Sequence, residues 1–199
     1  MEQKPHLTKQ DLSLLLEKNG RNLDKKVSLM LKKGELLPLK RGLYATPEFV
    51  HYHQENVGDY IANILYYPSY LSLEYVLNKE NLLPEAVYSY TSICLKPPRT
   101  FSNSLGVFIY QNIKQKLFCG FDQTSFFGTY KIKVASKAKA LFDYFYLYPF
   151  GSSFEPEIGD LRINWGNFNQ RDYREFLKYA KLSNSKKMFA ISDIIKQYL

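Results

Sequence analysis

Residues 22–45 read NLDKKVSLMLKKGELLPLKRGLYA, and this stretch predicts a helix followed by a hairpin. An apolar stripe at helical spacing indicates a helix over Asn22–Lys33. Its members are Leu23, Val27, Met30 and Leu31. Gly34 is expected to end the helix, because glycine tolerates the left-handed backbone of a C-cap. Residues 36–45 then indicate two short strands, and Pro38, which lacks an N–H, restricts its strand to a sheet edge.

A shorter helix is expected directly before this stretch. Thr8 has the position of an N-cap, and Asp11 places a negative charge in the first turn, where the helix dipole favours it. The apolar positions that follow at helical spacing are Leu12, Leu15 and Leu16. Asn19-Gly20 is expected to end this helix. Two short helices joined by a tight turn, and then a hairpin, are typical of a winged helix-turn-helix.

Positive charge is concentrated in the same part of the chain. The 199 residues carry a net charge of +8, and residues 1–45 hold ten Lys and Arg against five Asp and Glu. Such an excess favours nucleic acid, because each neutralised phosphate releases counterions. We therefore predict that the second helix enters the major groove of duplex DNA and that the hairpin follows its backbone. The predicted DNA-binding residues are Asn22, Lys25, Lys26, Ser28, Lys32, Lys33, Lys40 and Arg41, with Asn22 and Ser28 on base edges and the cations mostly on phosphates.

The rest of the chain predicts a mixture of helices and strands. Helical patterns cover 48–67, 70–77, 137–148, 173–180 and 186–199, and strand patterns cover 86–95, 100–103, 106–111, 117–121 and 129–134. The expected fold class is α+β. A winged helix-turn-helix over residues 1–47 precedes a mixed domain over residues 48–199, with a small antiparallel sheet and flanking helices.

Catalytic and metal-binding patterns are not evident in the sequence. It contains no phosphate-binding loop, nucleophile elbow or Cys-x-x-Cys motif. His51 and His53 would point to different faces of a helix, and Cys94 and Cys119 lack metal-ligand spacing and are expected to be buried free thiols. Asp143 falls opposite the apolar stripe of its helix, so we expect it at the surface or paired with a neighbouring polar group. We expect no enzyme, no catalytic residue, no metal and no cofactor.

Several segments, in their order along residues 7–150, resemble the AbiEi family of type IV antitoxins. They are LKKGELL (31–37), RGLYA (41–45), YLSLE (70–74), LLPE (82–85), YTSI (90–93), RTF (99–101), GVFIY (106–110) and ASKAKALFD (135–143). The resemblance implies an N-terminal domain that binds operator repeats upstream of its own operon. It also implies a C-terminal domain that counters a nucleotidyltransferase toxin without an obligatory stable complex.

The N-terminus departs from the pattern of a complete winged helix in one respect. Such a domain has a further helix ahead of the two predicted here, and residues 1–7 are too few to form it. Either the helix expected around Gly58–Tyr67 packs in its place, or the DNA-binding module is reduced.

The expected function is that of a cytoplasmic antitoxin and transcriptional autorepressor. The chain has no apolar run long enough to span a membrane and no apolar leader, and a homodimer is left open. The alternative is an RNA-binding or protein-interaction module that does not bind an operator. Its basic N-terminus would dock on a partner, and its aromatic strands would offer a stacking surface for RNA.

Overall fold

Two β-sheets organise the chain in the computed structural model, which describes residues 4–151 and 154–199. The strands are β1 (Leu7–Thr8), β2 (Leu37–Lys40), β3 (Leu43–Ala45), β4 (Ser69–Leu71), β5 (Ser89–Cys94), β6 (Arg99–Asn103), β7 (Gly106–Asn112), β8 (Phe121–Phe127) and β9 (Tyr130–Ala135). The helices are α1 (Lys9–Leu16), α2 (Gly20–Lys32), α3 (Pro47–Tyr52), α4 (Val57–Leu65), α5 (Leu73–Lys79), α6 (Lys137–Leu147), α7 (Phe154–Asp160), α8 (Gln170–Ser183) and α9 (Lys186–Lys196). The fold is therefore mixed α/β.

The smaller sheet is antiparallel and has the order β1-β3-β2. The predicted hairpin forms as β2 and β3, with Leu37 opposite Ala45. Pro38 lies in β2 at the edge of the sheet, as its missing N–H requires. Strand β1 was not predicted; it pairs with β3, placing Leu7 opposite Tyr44.

Helix α1 begins where the sequence predicts and ends earlier. The Thr8 side chain accepts a hydrogen bond from the Asp11 N–H at 3.1 Å, and the Asp11 carboxylate accepts one from the Thr8 N–H at 2.8 Å. This reciprocal pair is a capping box. The helix ends at Leu16 because Glu17 adopts the left-handed conformation, three residues before Gly20. Leu12 is fully buried, whereas Leu15 is 61% exposed.

Helix α2 packs its predicted apolar stripe onto α1. Leu23 and Val27 are buried together with Leu12 and Leu36, and Met30 and Leu31 cover the margin of this small core. The stripe therefore fixes which side of α2 faces outward.

The larger sheet corrects the expectation of a small antiparallel sheet in the second part of the chain. It has six strands in the order β6-β7-β5-β4-β9-β8. The pairs β5–β7 and β4–β9 are parallel, and the remaining pairs are antiparallel. Parallel neighbours cannot be joined by a tight turn: β6 lies between β5 and β7 in sequence, and several helices and strands lie between β4 and β9.

Strand β4 corrects a second expectation, since the sequence predicts a helix over residues 70–77. The chain instead forms β4 and then α5. All three residues of β4 are buried, and a strand covered on both faces shows no polar alternation. Without polar alternation, residues 70 and 71 could not be distinguished in the sequence from the first turn of α5.

Other boundaries differ locally. The helix expected over 48–67 is divided into α3 and α4, and the strand expected over 117–121 is a short 3-10 turn followed by β8. Helix α7 has no counterpart among the predicted helices. Cys94 is buried and Cys119 is half-buried, and both are free thiols.

Asp143 is in the interior and not at the surface. Its side chain and that of Lys139 are both fully buried and form an ion pair. The same carboxylate accepts hydrogen bonds from Tyr70 Oη at 3.0 Å and Ser72 Oγ at 2.8 Å. Helix α6 is buried on its polar side as well, because it packs against both α5 and α8. Of the two expectations for Asp143, a surface position is wrong and pairing with neighbouring polar groups is confirmed.

The main core lies around the larger sheet and reaches into the smaller one. Leu39, Leu43 and Ala45 belong to the same cluster of buried residues as Tyr60 and Leu65 of α4. Helix α2 and the turn of the hairpin remain on the outside. In the described part of the chain, no helix has the length and apolar character needed to cross a membrane.

Candidate nucleic-acid interface

The outward face of α2 carries a line of cationic and polar side chains. Arg21, Lys25, Ser28 and Lys32 are separated by four, three and four residues, so they align along one side of the helix. All four are exposed, and they lie opposite the buried Leu23. Arg21 was not among the predicted DNA-binding residues, although its spacing of four from Lys25 is visible in the sequence.

The remaining predicted residues of α2 flank this line. Asn22 and Lys33 are exposed, and Lys26 is half-buried. The structure thus places the predicted residues between 22 and 33 on α2 and its C-cap, with Lys26 at the margin of the buried stripe.

Few carboxylates compensate these charges. Asp24 is the acidic residue of α2, and its carboxylate lies 2.6 Å from Lys9 Nζ on α1. Glu35 lies 3.9 Å from Lys33 Nζ. Among the residues that the structure describes, Arg21, Lys25, Lys26 and Lys32 form no ion pair, so this face has an uncompensated positive field.

The turn between α1 and α2 is held by hydrogen bonds. Ser13 Oγ donates to the carbonyl of Lys18 at 2.8 Å and contacts the side chain of Asn19. Asn19 is the extended residue that precedes α2. The start of α2 is therefore fixed relative to α1, which orients its cationic face.

The basic hairpin, residues 37–45, is the second cationic element. Arg41 and Gly42 form its turn, and Gly42 has a φ of 76°, which glycine adopts without strain. The Lys9 N–H donates to the carbonyl of Gly42 at 3.0 Å and ties the turn to the start of α1. Arg41 is exposed.

Lys40 is held against the body of the protein. Its ammonium donates to the carbonyl of Leu65 at 2.6 Å, and its side chain is half-buried. Burial lowers the pKa of Lys40, and the positive charges of Lys96 and Arg99 lower it further. Of the two hairpin cations predicted to bind DNA, Arg41 is exposed, whereas Lys40 is half-buried and hydrogen-bonded to Leu65.

One shallow cleft connects the two elements. It has a volume of about 430 Å³ and is bordered by Leu31 and Gly34 at the end of α2, by the hairpin residues 36–41, and by residues 102–104. Ser102 and Asn103 end β6, and Ser104 lies in the β6–β7 turn of the larger sheet. The end of α2, the basic hairpin and this turn are therefore neighbours in space.

No model of a known protein family matches the chain, and no curated protein gives a significant match.

A second concave surface lies on the larger sheet. This groove has a volume of about 840 Å³ and a predominantly apolar lining that includes Val87, Val107, Ile109, Leu147 and Tyr148. Glu74 stands among its lining residues. Burial and the nearby charge of Glu74 raise the pKa of Tyr144, also in the lining, to about 12. Within the described ranges, no three His, Cys, Asp or Glu side chains are grouped as metal ligands.

Proposed function

We propose that this protein binds duplex DNA as a winged helix-turn-helix, with α2 in the major groove and the basic hairpin on the backbone. The observation that carries the proposal is the line of exposed cations on α2, which is followed by a hairpin with Arg41 at its turn. A helix of 13 residues is about 20 Å long, and the major groove, about 12 Å wide, admits an α-helix.

The surroundings of the basic hairpin support this proposal. Strand β1 comes ahead of the two helices and completes the sheet of the hairpin that follows them. Helix α4 packs against β2, and Tyr60 Oη of α4 lies 2.7 Å from His6 Nδ1, just ahead of β1. These contacts support the alternative in which α4 packs beside the hairpin as the additional helix of the winged helix-turn-helix.

We further propose that the protein represses its own operon and counters a nucleotidyltransferase toxin encoded beside it. This part of the proposal depends on the sequence resemblance. Two of the resembling segments, 70–74 and 135–143, meet at the buried Asp143, so the similarity includes residues that build the core.

The apolar groove favours a second candidate function, that of a protein-interaction module. Exposed apolar surface of this kind marks interaction sites more often than an isolated apolar side chain does. In that case the basic face of α2 would serve a partner protein instead of an operator.

Fluorescence anisotropy with a labelled duplex from the region upstream of the gene tests DNA binding. The variant K25A/K32A/R41A removes three charges from the proposed interface, and R174A/K178A/K181A removes three exposed charges from α8 as a matched control. The logarithm of the binding constant falls linearly with the logarithm of the salt concentration, and the steepness of this line is the salt slope. We expect the first variant to lower the magnitude of the salt slope by about 2.7, the value for three phosphate contacts, and the control to retain the wild-type slope. Equal affinity and slope in wild type and K25A/K32A/R41A would contradict the proposal.

Co-expression tests the antitoxin role. The neighbouring open reading frame should be toxic alone and tolerated together with this protein. K25A/K32A/R41A separates the two activities: we expect it to lose repression and to keep protection, since it leaves the larger sheet unchanged.

A further inference from the structure

The basic hairpin is docked against the larger sheet. Asn103 Nδ2 donates to the carbonyl of Leu39 at 3.1 Å, which joins β6 to β2. Lys40 of the same hairpin donates to Leu65 at the end of α4. Tyr66, the residue after Leu65, holds Lys96 and Arg99 near the start of β6 against its ring, so DNA that reaches the hairpin also approaches these two cations.

Two cations, Lys96 and Arg99, lie at the start of β6 on aromatic rings. Lys96 Nζ is 5.3 Å from the ring centre of Tyr66, and the Arg99 guanidinium is 6.0 Å from the same ring and 5.0 Å from that of Phe101. Tyr66 Oη donates to the carbonyl of Pro97 at 3.2 Å, which fixes the loop between the two cations. Aromatic faces hold cations without neutralising them, so both charges remain available to a ligand.

Carboxylates are scarce around these cations. Residues 86–121 contain no Asp or Glu. In the part of the chain that the structure describes, Lys40, Arg41, Lys96 and Arg99 form no ion pair. Burial lowers the pKa of Lys40 first, and Lys96 and Arg99 lower it further through their charge, which is consistent with their proximity. Uncompensated cations that repel each other are stabilised by a polyanion.

We propose that Lys96 and Arg99 contact phosphates of the same duplex that the basic hairpin approaches, and so extend the DNA interface from the N-terminal part onto the larger sheet. The inference rests on the proposed DNA-binding function. Both side chains are exposed and are held by rings and a Pro-Pro loop, which suits contact with a regularly spaced backbone. Phosphate contacts position a protein on DNA without reading its sequence, so these residues act on every duplex alike.

The test uses the full-length protein and two duplexes of equal length, one from the upstream region and one of unrelated sequence. K96A/R99A should weaken binding to both by the same factor and lower the salt slope by about 1.8, the value for two phosphate contacts. K96R/R99K keeps both charges and should bind as wild type does. R174A/K181A removes the same charge from α8, and we expect its slope to be unchanged. Thermal unfolding of each variant checks that it is folded.

The possible outcomes separate this inference from the proposed function. If K96A/R99A keeps the wild-type slope while K25A/K32A/R41A lowers it, DNA binding stands and the extended interface is wrong. If R174A/K181A loses as much as K96A/R99A, the effect is one of net charge, and the inference also fails. If wild type binds neither duplex, both proposals fail. The extended interface is supported if K96A/R99A lowers the salt slope while K96R/R99K and R174A/K181A retain the wild-type slope.

Discussion

Lys139 and Asp143 form an ion pair, one helical turn apart on α6, in which neither side chain is exposed to solvent. Burial raises the pKa of Asp143, and the Lys139 charge and the hydrogen bonds from Ser72 and Tyr70 oppose that shift. Through these bonds α6 is joined to β4 and to the residue that precedes α5. The pair therefore connects a helix to the centre of the larger sheet.

Removal of one partner of this pair should be strongly destabilising. D143L leaves the Lys139 ammonium buried without its carboxylate, and we expect a loss of about 3–5 kcal/mol in the free energy of unfolding. The double variant K139M/D143L removes both charges and should recover much of this loss, because no unpaired charge remains. Denaturant unfolding of the two variants measures the difference. Equal destabilisation by both would show that the hydrogen bonds from Tyr70 and Ser72, and not the charge, are decisive.

The capping box of α1 should make stability sensitive to acid. Hydrogen bonds from Lys4 and Thr8 lower the pKa of Asp11 from 3.8 to about 2. Its contribution is therefore complete above pH 4 and is lost as the pH falls toward 2. D11N should cost about 1 kcal/mol at neutral pH and weaken the pH dependence of unfolding in that range. Asp24 is exposed, and D24N is the control, which we expect to preserve the acid dependence of wild type.

His6 should give a second pH dependence nearer neutrality. Burial lowers the pKa of His6 from 6.5, and Tyr60 Oη lies 2.7 Å from its Nδ1. A lowered folded-state pKa means that the contribution is present above pH 6.5 and is lost as the pH falls through the folded value. We expect H6Q to flatten the unfolding free energy between pH 7 and 5. The exposed His51 provides the comparison, and a similar flattening in H51Q would exclude His6 as the source.

Gly58 should not tolerate a side chain. A Cβ at this position in α4 would lie 2.0 Å from Tyr90 Oη. The Tyr90 ring is stacked on Phe108 of β7. G58A should therefore cost about 1–3 kcal/mol through overpacking. Gly159 of α7 has open space around it, so G159A should be neutral or stabilising. Because the clash is with Tyr90, the double variant G58A/Y90A should lose less stability than the sum of the losses in G58A and Y90A. Additive losses would show that the clash with Tyr90 is not the cause.

Local chemistry was predictable from the sequence. The side chain of Thr8 caps the helix that the sequence assigns to it, because a cap depends on residues within one turn. Pro38 likewise identifies an edge strand, since its missing N–H is a property of a single residue. The alignment of cations on α2 follows from helical spacing alone.

Features that depend on distant contacts were not predictable. The burial of Asp143 requires residues 70 and 72, about seventy positions away, and β4 is a strand because its partners β5 and β9 cover it. The position of Lys96 and Arg99 beside the hairpin depends on the contact of Lys40 with Leu65 and on the neighbouring Tyr66 ring. No pattern within a single helix or strand contains that information.

The shared core of the hairpin limits how freely the N-terminal unit can be exchanged. Leu39, Leu43 and Ala45 face the main core, so a fragment ending at residue 47 would present these three apolar side chains to water. A graft of this unit onto another protein would need a matching apolar surface there. For the proposed DNA-binding role, substitutions on the outer face of α2 would leave this shared core unchanged, whereas exchange of the whole unit would disrupt it.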